Sequence, residues 1–210
     1  MTEPTDPEAL VQRLVQLGRN GRTLCAITGA PGSGKSTLAE RLVDRLNEEE
    51  PGSAALLPMD GFHYDDLYLV PAGLRPRKGS PETFDVGGLR HLLIRLRANE
   101  EDAIAVPVFD RDIEIARAGA RMIPASARII VCEGNYLLLG RAPWDSLCPL
   151  FDTTVMIEVP EEELRARLRR RWEHYGLNEE EIAWKLDGND LPNGRVVVAE
   201  SAPADFVVRS

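Results

Sequence analysis

Arg22-Thr23-Leu24-Cys25-Ala26-Ile27-Thr28-Gly29-Ala30-Pro31-Gly32-Ser33-Gly34-Lys35-Ser36-Thr37 is the stretch that decides the fold. Its first seven residues form a short apolar run suited to a buried parallel strand. Gly29 to Ser36 then spells G-x-x-x-x-G-K-S, in which each fixed position has a task that other residue types do poorly. The glycines let the backbone fold back so that successive N–H groups point at phosphate oxygens. Lys35 is placed to reach the β- and γ-phosphates, and the Ser36 hydroxyl can ligate Mg²⁺. Behind the loop Leu38, Leu42, Val43 and Leu46 keep helical spacing, which puts a helix N-terminus where phosphates would bind. The expected ligand is ATP with Mg²⁺, cradled by the residues from Gly29 to Thr37.

The chain has 210 residues and a net charge of −9. That length predicts one α/β domain spanning residues 1–210. An acidic chain argues against nucleic acid or an anionic membrane as the main partner, while a small anionic ligand remains compatible because the loop sets its own local field. Cys25, Cys132 and Cys148 are odd in number, and two fall in apolar runs. They read as thiols of a reducing compartment rather than a disulfide frame or metal site. Glu3, Asp6 and Glu8 leave no apolar segment of a secretory leader, and no apolar run reaches membrane-spanning length. A cytoplasmic protein is expected, with a homodimer left open.

Asp6 before Pro7 predicts a helix start, with Leu10, Leu14 and Leu17 on one face up to Gly18. Residues 54–60 read as a second strand carrying an acid at its end. Residues 61–82, rich in Gly, Pro and charge, read as a long functional loop with one helical turn. Leu89, Leu92, Leu93 and Leu96 return to helical spacing. Residues 104–109 and 128–132 are further strands, with a hairpin or a short helix over 113–123. Residues 153–159 form another, and Pro160 opens a helix with Glu161, Glu162 and Glu163 in its first turn. Asn178 with Glu181 predicts a capping box, Leu177 with Ile182 a hydrophobic staple, and 205–208 a last edge strand. Strands alternating with helices, without internal repeats, predict a mainly parallel sheet flanked by helices on both sides.

Asp60 falls where ligands of open α/β sheets bind, at the carboxyl end of a strand. Its carboxylate could take the proton of a hydroxyl attacking the γ-phosphate, or it could cap the turn before Gly61. Ile129-Ile130-Val131-Cys132-Glu133 is an apolar run ending in one acid, so Glu133 could hold Mg²⁺ directly or through water. The helix after Pro160 carries Arg165, Arg167, Arg169, Arg170 and Arg171. Acids first and bases last complement the helix dipole, yet so many arginines exceed that need. Arg167 and Arg171, an i,i+4 pair, are the candidates for contacts with the transferred phosphoryl group. His63, Tyr64, Lys78, Asp110 and Arg111 sit in the two segments that would overhang the site and are the candidate substrate residues.

These segments resemble the phosphoribulokinase, uridine kinase and pantothenate kinase group of P-loop kinases. Met59-Asp60-Gly61-Phe62-His63-Tyr64 and Lys78-Gly79-Ser80-Pro81-Glu82-Thr83-Phe84-Asp85 resemble stretches of bacterial pantothenate kinase. Pro107-Val108-Phe109-Asp110 is similar to a uridine kinase segment, and Glu133-Gly134-Asn135-Tyr136 to a Glu-Gly signature shared by the group. The resemblance implies a three-layer fold with a central parallel sheet, ATP and Mg²⁺, a short arginine-bearing helical lid, and transfer to a hydroxyl of a small metabolite. It also implies that Asp60 is the hydroxyl base. The chain is shorter than bacterial pantothenate kinase and lacks uridine kinase's Asp-Ser-Phe-Tyr. It is most similar to short bacterial kinases linked with fructose transport, which share Asp-Gly-Phe-His and the segment Asn189-Asp190-Leu191-Pro192-Asn193.

A metabolite kinase is therefore expected, with a sugar such as fructose ahead of pantothenate or a nucleoside. An aromatic content of 6% favours the sugar, since a nucleobase site would call for more rings. The competing class is a regulatory P-loop NTPase, against which stands the missing Asn-Lys-x-Asp motif of guanine-type switches.

Overall fold

In a computed structural model, residues 2–209 are described. Six strands form one parallel sheet in the order β1-β8-β7-β2-β6-β3. They are β1 (Glu3–Pro4), β2 (Thr23–Gly29), β3 (Ala54–Pro58), β6 (Ile129–Gly134), β7 (Thr153–Glu158) and β8 (Phe206–Arg209). β2 lies between β6 and β7, and every residue of it is buried.

Strand periodicity explains the layers. Leu24 and Ala26 face one core with Ile130, Cys132 and Leu57. Cys25 and Ile27 face the opposite core with Val131, Val155 and Ile157. Side chains alternate across a strand, so a strand apolar at every position needs a cover on both faces. Helices α1 (Pro7–Gly18) and α2 (Lys35–Glu49) cover the second core through Leu10, Leu14, Leu38, Leu42 and Leu46. Helix α4 (Val86–Ala98) covers the first through Leu89, Leu92, Leu93 and Leu96. The Asp6 carboxylate caps α1 by accepting from the Ala9 amide, and both halves of the Asn178–Glu181 capping box open α6 (Glu179–Lys185).

Over 113–123 the hairpin is present and the helix is not. β4 (Ala103–Asp110) pairs antiparallel with β5 (Ile115–Pro124) as a separate two-stranded sheet. The register slips between Val106 and Val108, at Pro107, which has no N–H for the ladder. Ile104, Val106 and Ile123 anchor this hairpin on the first core, so its turn overhangs the sheet's carboxyl end. The 61–82 segment contains the expected helical turn, α3 (Asp66–Leu69), among short 3₁₀ turns. Tyr136 Oη donates to the Gly79 carbonyl at 2.7 Å and Trp144 Nε1 to the Pro81 carbonyl at 3.2 Å, tying that loop to the core.

Helix α5 (Glu161–His174) is followed by α6, a π-helical turn over Leu186–Asp190, and α7 (Leu191–Glu200). Leu164, Leu168, Ile182, Leu186 and Leu191 form a small third core against Ala30 of the phosphate loop. Besides short 3₁₀ turns, three elements escaped the sequence reading: β1, which flanks β8 and takes over the edge, the π turn, and α7. Asp60 lies just past its strand, in a 3₁₀ turn over Met59–Phe62, because β3 ends at Pro58.

Candidate functional site

The loop from Ala30 to Gly34 wraps the N-terminus of α2, where Lys35 and Ser36 are the first two residues. Gly34 caps the helix at φ 90°, a conformation open to glycine and costly for other residues. Ser36 Oγ donates to Glu133 Oε2 at 3.1 Å. Glu133 is 5% exposed, and burial pushes its carboxyl above the usual range although Lys35 pulls the other way. Burial likewise lowers the Lys35 ammonium, opposed by Glu133 and Asp60. Two acids and a lysine thus share a poorly hydrated site that favours a charge-balanced occupant.

Burial alone would raise the Asp60 carboxyl, but His63, Arg111, Lys35 and Arg171 outweigh it and hold the group ionised. Arg111, from the turn after β4, donates to Asp60 Oδ2 at 2.7 Å. This approach requires Gly61, since a Cβ there would sit 2.4 Å from the Pro107 carbonyl oxygen. His63 Nδ1 lies 2.8 Å from the Asp60 carbonyl oxygen. A carbonyl only accepts, so Nδ1 carries the hydrogen. Burial lowers the His63 pKa, while the Asp60 carboxylate and the bond to the Asp60 carbonyl pull it back up. It packs between Phe84 and Phe109, at centroid separations of 4.0 and 4.7 Å.

Lys35, Ser36, Thr37, Asp60, His63, Lys78, Arg111, Arg167 and Arg171 all line one cavity of about 540 Å³, together with Pro31, Gly32 and Gly34. Gly29, Ala30 and Ser33 do not line it. Gly29 ends β2, Ala30 is buried against the third core, and Ser33 is 2% exposed. The arginines of α5 sort by direction. Arg165 pairs with Asp187, Arg169 with Glu173, and Arg170 with Glu163, all away from the cavity. Arg167 bonds Glu163 at 2.9 Å and reaches the Ser33 carbonyl at 3.5 Å, while Arg171 stacks over Trp172.

Two expected substrate residues fall outside the cavity. Asp110 ends β4, where its carboxylate accepts from Arg117 at 2.6 Å and from the Asp112 amide at 3.1 Å. It folds the hairpin turn, a common role of aspartate. Tyr64 turns its ring to Tyr68, 4.9 Å away. Lys78 lines the cavity, yet its ammonium is held by Asp66 at 2.7 Å and by the Glu114 carbonyl at 2.6 Å. Arg75 binds the same Asp66, so the cluster braces the loop against the hairpin.

The sequence reading missed a whole wall of this cavity, formed by Trp172, Tyr175, Trp184, Lys185, Asn189, Asp190 and Asn193. Asp190 is 9% exposed and accepts from Trp172 Nε1 at 2.7 Å. Burial raises its carboxyl pKa. The available signal was the run of polar residues between Leu186 and Leu191 in an otherwise apolar segment. With Phe84 and Phe109 also present, the low aromatic content of the whole chain says little about this cavity. A smaller cavity of about 250 Å³ opens beside Pro31, walled by Val159, Leu164, Leu191, Gly194 and Val198. Among the described residues no helix is long and apolar enough to cross a membrane.

No family model matches the chain. It is 34% identical over 211 residues to a Schizosaccharomyces pombe protein named "Putative uridine kinase C227.14", covering 96% of this chain and 89% of that one. It is 30% identical over 149 residues to the pantothenate kinase of Afipia carboxidovorans, covering 68% of this chain and 46% of that longer protein. A crystal structure described as a "putative fructose transport system kinase" from Silicibacter sp. TM1040 superposes with a TM-score of 0.88 at 41% identity, over 97% of this chain and 98% of the other.

Proposed function

The chain belongs to the phosphoribulokinase, uridine kinase and pantothenate kinase family of P-loop kinases, and on that premise we propose how it works and on what. It is an ATP-dependent phosphotransferase whose acceptor is an alcohol group of a small molecule. We read residues 1–210 as a single kinase domain working in the cytoplasm. Cys25, whose thiol burial pushes up to about 12, suits a structural rather than a reactive role there.

The observation that carries the mechanism is the placement of Asp60 and Lys35 in one cavity with Arg167 and Arg171. The triphosphate lies on the loop amides at the N-terminus of α2, with Lys35 on the β- and γ-phosphates. The smaller cavity beside Pro31 is apolar enough to take the adenine. Arg167 and Arg171, on α5, stabilise the charge that spreads over the transferred phosphoryl oxygens. Asp60 accepts the proton of the attacking hydroxyl once the acceptor displaces or shares its contact with Arg111. Water is excluded by the loop from Gly61 to Glu82 on one side and by α5 with the Asn189–Asn193 wall on the other.

Ser36 and Glu133 fit Mg²⁺. Both supply oxygen ligands and are joined at 3.1 Å; Ser36 lines the cavity and Glu133 lies buried directly behind it, with Lys35 and Arg111 as its cationic neighbours. Among the described residues no group of three potential protein ligands stands ready for a metal. That suits an ion that keeps several waters and takes its remaining ligands from phosphates. Bound there, Mg²⁺ would neutralise phosphate charge.

For the acceptor we propose a sugar such as fructose. The support is the polar lining around Asp60 and the likeness to the Silicibacter protein. The second reading is a nucleoside, favoured by Phe84, Phe109, Trp172 and Trp184 in the cavity. ADP release should be measured with fructose, other hexoses, uridine, pantothenate and glycerate. Stimulation by a hexose supports the sugar. Stimulation by uridine or pantothenate alone overturns it and leaves the kinase standing.

A further inference from the structure

Asn193 is 2% exposed, and its Oδ1 is buried without a hydrogen-bond donor. Its orientation follows from a relay anchored on the backbone. Asn189 Nδ2 donates to the Lys78 carbonyl at 3.1 Å. That carbonyl can only accept, so the Asn189 amide cannot be flipped, and its Oδ1 must point the other way. Asn193 Nδ2 donates to this Oδ1 at 3.1 Å, which fixes the Asn193 amide in turn. The open end of the relay is therefore an acceptor. Asn135, in the segment after β6, lines the same cavity and also has a buried Oδ1 without a donor, but no hydrogen bond fixes which way its amide faces.

A buried carbonyl left without a donor costs about 1–3 kcal/mol, and isolated cases need a reason. Phosphate oxygens cannot supply it, because they accept as well. What Asn193 Oδ1 lacks is an O–H or N–H. We propose that Asn193 is a specificity-determining residue for the acceptor, reading a hydroxyl or amide donor that flanks the group to be phosphorylated. Asn189 is the positioning residue that holds the Asn193 amide. This rests on the kinase reading above and adds a constraint to it. The acceptor carries at least one donor besides the reacting hydroxyl, so simple mono-alcohols are excluded.

The geometry also explains why the segment is built as a π turn running into α7. The extra residue per turn over Leu186–Asp190 brings Asn189 round to the loop at Lys78, and such turns recur at functional sites. Gly194, whose added Cβ would lie 3.3 Å from Ala30, lets α7 sit close to the phosphate loop. Asn193 thus stands between the two loops that meet at the transferred phosphoryl group.

The test has two parts. A crystal structure of the protein with a non-hydrolysable ATP analogue, Mg²⁺ and the stimulating acceptor should show Asn193 Oδ1 accepting from the acceptor, and a water retained there beside bound acceptor would overturn the proposal. A nucleotide N–H or O–H donating to it would overturn the proposal while leaving the kinase reading intact. In solution, Asn193→Leu should raise the KM of whichever panel compound stimulates ADP release by about 5- to 100-fold, with the KM of ATP changed less than about twofold. A raised KM for ATP with an unchanged acceptor KM would also overturn it. If no compound stimulates turnover, the kinase reading fails on its own and takes the proposal with it.

Discussion

At the scale of single residues, environment assigns the roles of Asp60 and Glu133. Asp60 stays ionised under four nearby cationic or ionisable nitrogen groups, so it serves as a proton acceptor late in transfer, when the attacking hydroxyl has become acidic. Asp60→Asn keeps the turn and removes the base. Nucleotide binding should persist while turnover falls by roughly 10²–10⁴, read by steady-state kinetics beside a nucleotide titration. Intact turnover with a lower Tm would make Asp60 a turn cap. Glu133 runs the opposite way. Its raised carboxyl pKa favours the protonated form in the folded protein, a contribution present below the unfolded value and lost as pH rises through the folded one. Glu133→Gln should therefore raise the Tm of the free protein near neutral pH and shrink the further rise produced by Mg²⁺ and ATP. In the wild type that rise should fade as pH drops through the raised pKa, and in the variant it should be flat. A lower Tm without ligand would contradict this account.

At the scale of elements, the hairpin of β4 and β5 is a separate piece whose purpose is to deliver Arg111 to Asp60. Gly61→Ala places a Cβ 2.4 Å from the Pro107 carbonyl oxygen. Forcing them apart should cost about 1–3 kcal/mol, seen as a lower Tm, and should raise the acceptor KM more than that of ATP. Equal effects on both would put the hairpin outside the acceptor side. Elements set by local periodicity were legible in the chain: β2 from its apolar run, α2 from Leu38, Leu42 and Leu46, and the start of α6 from Asn178 and Glu181. The hairpin could be read only as one of two options, because residues 113–123 mix small, charged and apolar side chains without a dominant period. β1 was too short to register at Glu3–Pro4, and it exists through its pairing with β8.

At the scale of the whole molecule, the site joins segments far apart in sequence. The phosphate loop, Glu133 and Asp60 could be found because each lies at or just past the carboxyl end of a strand. The wall from Trp172 to Asn193 could not be placed at the site, although the polar run before Leu191 marks it, since tertiary packing on Ala30 and Pro31 brings it there. That packing adds Trp172, Tyr175 and Trp184 to a cavity that Phe84 and Phe109 already line, a concentration that whole-chain composition averages away. Asp110 and Tyr64 looked like site residues by their place in overhanging segments. Arg117 and the Asp112 amide occupy the first, and the second faces Tyr68.

The central claim is that this cavity passes the γ-phosphoryl group to an alcohol and not to water. Phosphorus NMR of ATP with the protein, Mg²⁺ and the panel of hydroxyl compounds follows that group directly. A new phosphate ester should grow in step with ADP, and both should be lost in Lys35→Ala, whose missing charge should slow transfer by several orders of magnitude. Inorganic phosphate appearing at one rate whatever compound is present, with no ester, would contradict it.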